Sequence, residues 1–158
     1  MFQRIQTVFM FLAIVAGILA FFFPLASYLS EFHYYKLYIC HLKSMTPDAD
    51  KLFGSFFTLP LVIINVLVIG IIGTSMFLYR NRPRQIQFLR MAFFLEIILI
   101  ALIFFYNAPA VQRKIQVNPD YTGEIGIYLP LIALLFIFLA NRFILKDEKL
   151  VKSSDRIR

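Results

Sequence analysis

A chain of 158 residues allows one domain. Hydrophobic residues make up 60% of it and charged residues 16%, with a mean hydropathy of +0.76 and a formal net charge of +7. Ordinary soluble domains carry roughly 25% charged residues and leave much of their surface wet, so a soluble domain is excluded, as are disordered and collagen-like chains. An integral membrane protein remains.

Crossing a bilayer core takes about 20 apolar residues in a helix. Four segments qualify: about residues 5–25, 56–79, 88–107 and 125–145. They show neither the alternation of a soluble β-protein nor that of a transmembrane barrel. The first is expected to be a retained span rather than a cleaved signal peptide. Its apolar run is too long for a signal core, and Ala26-Ser27 is a poor cleavage pattern. Of the 16 Lys and Arg residues, 11 precede span one, lie between spans two and three or in the first turn of span three, or lie in the last turn of span four or beyond it. Arg80, Arg82, Arg84, Arg90, Arg142, Lys146, Lys149 and Arg156 belong to this set and are candidate interfacial anchors. The other five are balanced by five acids in the remaining loops. Both termini are therefore expected to be cytoplasmic. Nucleic acid is not an expected partner, because the cations sit at span ends rather than interleaved with aromatics.

The first outer loop, roughly residues 26–55, contains EFHYYKLYICHLK, whose Tyr content favours extended structure. In the second, Val111, Ile115 and Val117 precede an Asn-Pro-Asp turn signal and suggest a short strand. Together the loops are expected to form a small β-cap. Pro83 is expected to break the chain between spans two and three, and a loop this short makes those spans antiparallel neighbours. From the end of span four into the tail, residues 146–158, Phe143, Leu150 and Ile157 recur at seven-residue spacing as an apolar stripe, flanked by Arg142, Lys149 and Arg156. This is an amphipathic helix that either lies at the headgroups or docks a partner.

The start MFQRIQTVFMFL, the inner RPRQIQ and the end LPLIALLFIFLANRFILKDEKLVKSSDRIR resemble a small four-span inner-membrane protein family of Bacteroidota, catalogued as a domain of unknown function (number 4293). The resemblance runs the length of the chain. It implies a multi-pass inner-membrane protein and transfers no activity, cofactor or catalytic residue.

Glu96 is the one charge that this topology does not require. Near the middle of a span a charge costs about 2.5–3.5 kcal/mol on insertion scales, so the group is expected to face other helices. Counting from Arg80 and Arg90 puts Thr74 and Ser75 at its depth, and a neutral Glu96 would bond either hydroxyl. Asn65 is expected nearer the outer leaflet, as a separate interhelical hydrogen-bonding residue. Gly70 and Gly73, and Ala13, Ala16, Gly17 and Ala20, are candidate close-packing positions. His33, His41 and Cys40 lack the tight spacing of metal ligands. No span carries a histidine for haem, and no phosphate-loop or hydrolase motif occurs. No cofactor is expected.

The reading is a four-helix membrane bundle with a small extracytoplasmic β-cap, partnered by the lipid bilayer and by another membrane protein or a second copy. A non-enzymatic accessory or interaction protein is the expected function. The alternative is a small transport or proton-coupled component using Glu96.

Overall fold

The computed structural model describes residues 3–29, 34–46, 54, 56–79, 81–115 and 120–155. The chain is mostly helical. Helix α1 spans Gln3–Leu19, α2 Leu59–Phe77 and α3 Arg82–Ala101. A π-helical segment, Leu102–Asn107, joins α3 to α4, Ala108–Ile115. Helix α5 spans Tyr128–Asp155. Strands β1 (Ala26–Leu29), β2 (Tyr34–Leu37), β3 (Leu42–Ser44) and β4 (Asp120–Gly123) form one antiparallel sheet in the order β3-β2-β1-β4.

Three helical stretches are long and apolar enough to cross a membrane: Leu59–Phe77, Arg82–Lys114 and Ile125–Glu148. Helix α1 is apolar but shorter. Its apolar run continues beyond Leu19 in tight turns, with Ala20 N–H donating to Ala16 and Phe21 N–H to Ile18, until Pro24. Proline lacks an N–H and disfavours helix in the residue before it.

Helix α3 begins earlier than the hydropathy suggested. Pro83 does not break the chain. It sits in the first turn of α3, where an N–H would have no helical partner, so only residues 78–81 separate α2 from α3. Farther along, the π segment ends just before Pro109, and Ala108 N–H donates to Ile103 five residues back. The widened turn gives the proline ring room against the preceding carbonyls.

The two long loops do pair with each other. Strand β1 lies at the centre, with Ala26 opposite both Leu37 and Gly123. The segment around Val111 and Ile115 is not a strand, however. It is α4, with Ala108 and Val111 buried and Gln112, Arg113 and Lys114 exposed. The strand from this loop lies further on, at β4. Thr58 hydroxyl donates to the Cys40 carbonyl at 2.7 Å, tying the β3 side of the sheet to the start of α2.

Two apolar cores result. Leu25, Tyr28, Tyr35, Leu37 and Ile39 from the sheet region pack over Ala20, Leu61, Leu99, Ile103 and Val111. At the other end Met10, Ala13, Val68, Ile72, Leu89, Ala92, Ile137, Ala140 and Ile144 form the second. Ala13, Ala16 and Ala20 are buried within this chain. Gly70 and Gly73 do not serve close packing within this chain: a methyl group on either would meet nothing within 4 Å. They face outward from α2.

Candidate functional site

The buried face of α3 carries Leu89, Ala92, Glu96, Leu99 and Ile103, the three- and four-residue steps of one helical stripe. Four of these positions are apolar and one is an acid. Glu96 is 1% exposed, and neither carboxyl oxygen has a hydrogen-bond partner. On α2 the matching stripe is Leu61, Asn65, Val68, Ile72 and Ser75. Asn65 is likewise buried, and its Nδ2 donates to the Gly17 carbonyl of α1 at 3.0 Å.

Both polar residues fall between the two apolar cores. On α3, Ala92 belongs to the far core and Leu99 to the sheet-side core. On α2, Val68 and Leu61 are divided in the same way. The register of these antiparallel helices is marked by Ser75 Oγ, 3.4 Å from the Gln85 carbonyl. Asn65 and Glu96 each lie about ten residues, or ~15 Å, beyond that point. They therefore share one level of the bundle, at which α1 contributes Gly17.

Thr74 and Ser75 are not at that level. Thr74 is exposed, and its hydroxyl donates within α2 to Ile71 at 2.9 Å. Ser75 is buried beside Met10 and Gln85. The structure does not bring Glu96, Thr74 and Ser75 together. The expected depth rested on Arg80 and Arg90 marking one plane, whereas α3 has already run two turns by Arg90.

A second set of polar residues gathers at the end of the bundle away from the sheet. Gln6, Ser75 and Gln85 are buried there. Gln6 Nε2 donates to the Asp147 carboxylate, joining α1 to α5. Gln85 Nε2 lies 4.0 Å from Met10 Sδ. Asn141 Oδ1 and Arg82 Nη1 are buried without a hydrogen-bond partner. Beside them is a cavity of about 610 Å³ lined by Gln6, Thr7, Val8, Phe11, Met76, Tyr79, Arg82 and Gln85. Of the other expected anchors, Arg84, Arg90, Arg142 and Lys146 are at least partly exposed. Arg80 and Arg156 lie outside the described residues, and Lys149 is described only as helical backbone.

Reasoning from the sequence passed over Gln6, Gln85, Asn141 and Asp147 as individual residues. A signal for Gln6 was present: Gln6, Met10, Ala13 and Ala20 lie at helical spacing on one buried face. These residues come from three separated stretches, QRIQT, RPRQIQ and NR…KDE, which the fold brings to one end.

Among the described residues no group of three or more His, Cys, Asp or Glu is placed to hold a metal ion. His41 stacks on Tyr38 at 5.0 Å in the turn between β2 and β3, and Cys40 is exposed. His33, Asp48 and Asp50 lie outside the described residues. No curated protein matches the chain. The family described as "Domain of unknown function (DUF4293)" matches residues 2–157, and the chain belongs to that family.

Proposed function

We propose that this protein is a non-enzymatic accessory subunit of a membrane complex, set in the inner membrane by four helices with both termini cytoplasmic. One observation supports the reading above others: α5 outruns the bundle. Asp147 meets Gln6 near the start of α1, yet α5 continues unbroken to Asp155. Gln6 lies three residues inside the described start of α1 at Gln3, so about five of the eight further residues of α5, or ~7.5 Å of helix, pass that level. A helix held firmly at one side and extended past its bundle presents a docking element to a partner.

Affinity purification after crosslinking in native membranes tests this. A stable partner lost on deleting residues 146–158, with membrane insertion retained, is the expected result. An unchanged set of crosslinks after the deletion overturns it. Reporter fusions at residues 40 and 158 read the orientation, and a cytoplasmic residue 40 would reverse it.

A second reading has its own support. Glu96 is an intramembrane acid without a partner, and such residues commonly mark ion or proton paths. Proton or cation flux in liposomes holding the purified protein, abolished by Glu96→Gln, is the expected signature. Flux absent from the wild type removes this reading without touching the first.

A further inference from the structure

We infer that the cavity between α1, α2 and α3 binds the phosphate of an anionic phospholipid, with the acyl chains leaving along Val8 and Phe11. The cavity is built for a molecule with one charged end. Arg82 is partly exposed and lines the cavity, and its Nη1 has no hydrogen-bond partner within the structure; leaving such a donor unpaired is costly. Gln6 and Gln85 add amide groups beside it. Among the described residues that line the wall none is an acid, and the Asp147 carboxylate that Gln6 bonds is not among them.

The start of α3 adds to this charge. It carries no acidic residue in its first turn, and Asn81 makes no side-chain cap there. A helix N-terminus carries partial positive charge and free N–H groups, and so favours an anion. The remaining wall is apolar: Val8 and Phe11 are 53% and 56% exposed, and Met76 lies alongside. Exposed apolar residues running on from a cationic pocket match a phosphate ester that continues into hydrocarbon, and do not match a free anion. At about 610 Å³ the cavity falls within the range of ordinary ligand sites, roughly 300–1,000 Å³.

The inference rests only on the membrane-embedded part of the proposed function, with this end of the bundle at a headgroup layer. It does not depend on which side that layer faces or on a protein partner. Alkaline carbonate extraction of membranes reads insertion separately.

The test uses the full chain purified in a neutral detergent. Mixed micelles of dioleoylphosphatidylglycerol and dioleoylphosphatidylcholine are added, and retained lipid is counted by native mass spectrometry. The wild type should retain the anionic phosphatidylglycerol preferentially over the zwitterionic phosphatidylcholine. Losing a charge-assisted hydrogen bond should lower that preference about tenfold in Arg82→Gln. Arg84→Gln makes the same charge change at an exposed position and should leave the preference intact. Equal retention of both lipids by the wild type overturns the site, as does an equal loss in Arg84→Gln, which indicates diffuse surface charge. Displacement of the lipid by inorganic phosphate at the same concentration also overturns it, by assigning a free-anion site.

A measurement on the unaltered chain guards against a misfolded variant. A phosphatidylglycerol carrying a photoreactive acyl group should label Val8, Phe11 or Met76. Labelling confined to outward residues elsewhere, such as Phe94 and Phe105, would place the lipid in the general annulus and end the proposal.

Discussion

The side-chain amide of Gln6, near the start of α1, donates a hydrogen bond to the carboxylate of Asp147, near the far end of α5. The two residues are 141 positions apart in the chain. Phe9 and Phe143 stack one turn deeper, with ring centroids 5.4 Å apart. The first and last helices are thus closed against each other at the end away from the sheet. Gln6→Ala and Asp147→Ala should each lower the thermal midpoint of the purified protein. A double-mutant cycle should return a coupling of about 1 kcal/mol, the usual scale for hydrogen bonds between membrane helices. Gln6→Glu should fall below Gln6→Ala at neutral pH, because it sets a second carboxylate against Asp147. Additive single effects would show that the two residues stabilise the helix pair independently.

Glu96 occupies an apolar position of the α3 stripe, between Ala92 and Leu99, and its carboxyl has no hydrogen-bond partner. Replacing an unsatisfied buried group by an apolar one of similar shape is neutral or stabilising. Glu96→Leu should therefore unfold at or above the wild-type midpoint, with a gain of up to about 1–3 kcal/mol. A residue kept for packing would behave in the opposite way. A midpoint well below wild type would mean that the carboxyl is satisfied in the membrane by a group from outside this chain. If Glu96→Leu and Glu96→Gln are both stable and both lose a cellular phenotype, the acid serves function rather than folding.

What the sequence made legible follows from how strongly physics constrains each feature. Long apolar runs are imposed by the bilayer, and the helices at 59–77, 82–114 and 125–148 fall on three of them. The Tyr-rich stretch pairs as β2 and β3, and the second loop supplies β4. Facing was less legible, because a uniformly apolar helix gives no periodicity to read. Gly70 and Gly73 look like packing residues in sequence but face open space, whereas a methyl group on Gly17 would lie 3.0 Å from the Ile69 side chain. Val111 and Ile115 are spaced for a helix as well as for a strand, and α4 took the helical option because Val111 then reaches the core under the sheet. Depth was misjudged for a single reason. Pro83 suits the first turn of a helix as well as a break between two, and moving the start of α3 to Arg82 carries Glu96 away from Ser75 to the level of Asn65.

The Asn65 bond to Gly17 links α2 to α1 at that level. Its acceptor is a backbone carbonyl, so only the donor can be removed by substitution. Asn65→Leu should cost about 0.6–1.7 kcal/mol. Gly17→Ala should be tolerated better than a backbone clash would be, since the added methyl meets the Ile69 side chain, which can turn aside. Thermal midpoints of the two variants in detergent check this order. A Gly17→Ala protein less stable than Asn65→Leu would show that close helix approach, rather than the hydrogen bond, holds α1 to α2 here.

Gly126 provides the strictest test of how the sheet end is joined to the helices. Its N–H donates to the Pro24 carbonyl at 2.9 Å, and Glu124 N–H donates to Leu25 at 3.2 Å, so the chain entering α5 runs directly against the chain leaving α1. A methyl at Gly126 would lie 2.4 Å from the Pro24 oxygen and 2.6 Å from that of Phe23. Both are backbone atoms, and no rotamer change relieves them. The two segments must part, which breaks their hydrogen bonds beside β1 and β4. Gly126→Ala should cost at least about 3 kcal/mol, at the upper end for overpacking. Gly70→Ala is the matched control: it adds the same methyl where nothing lies within 4 Å, in a helix interior where alanine is favoured by about 0.8–1.0 kcal/mol. The first variant should lower the thermal midpoint sharply while the second leaves it unchanged or raises it. Equal midpoints for the two would mean that the α1 and α5 segments do not approach so closely at the sheet.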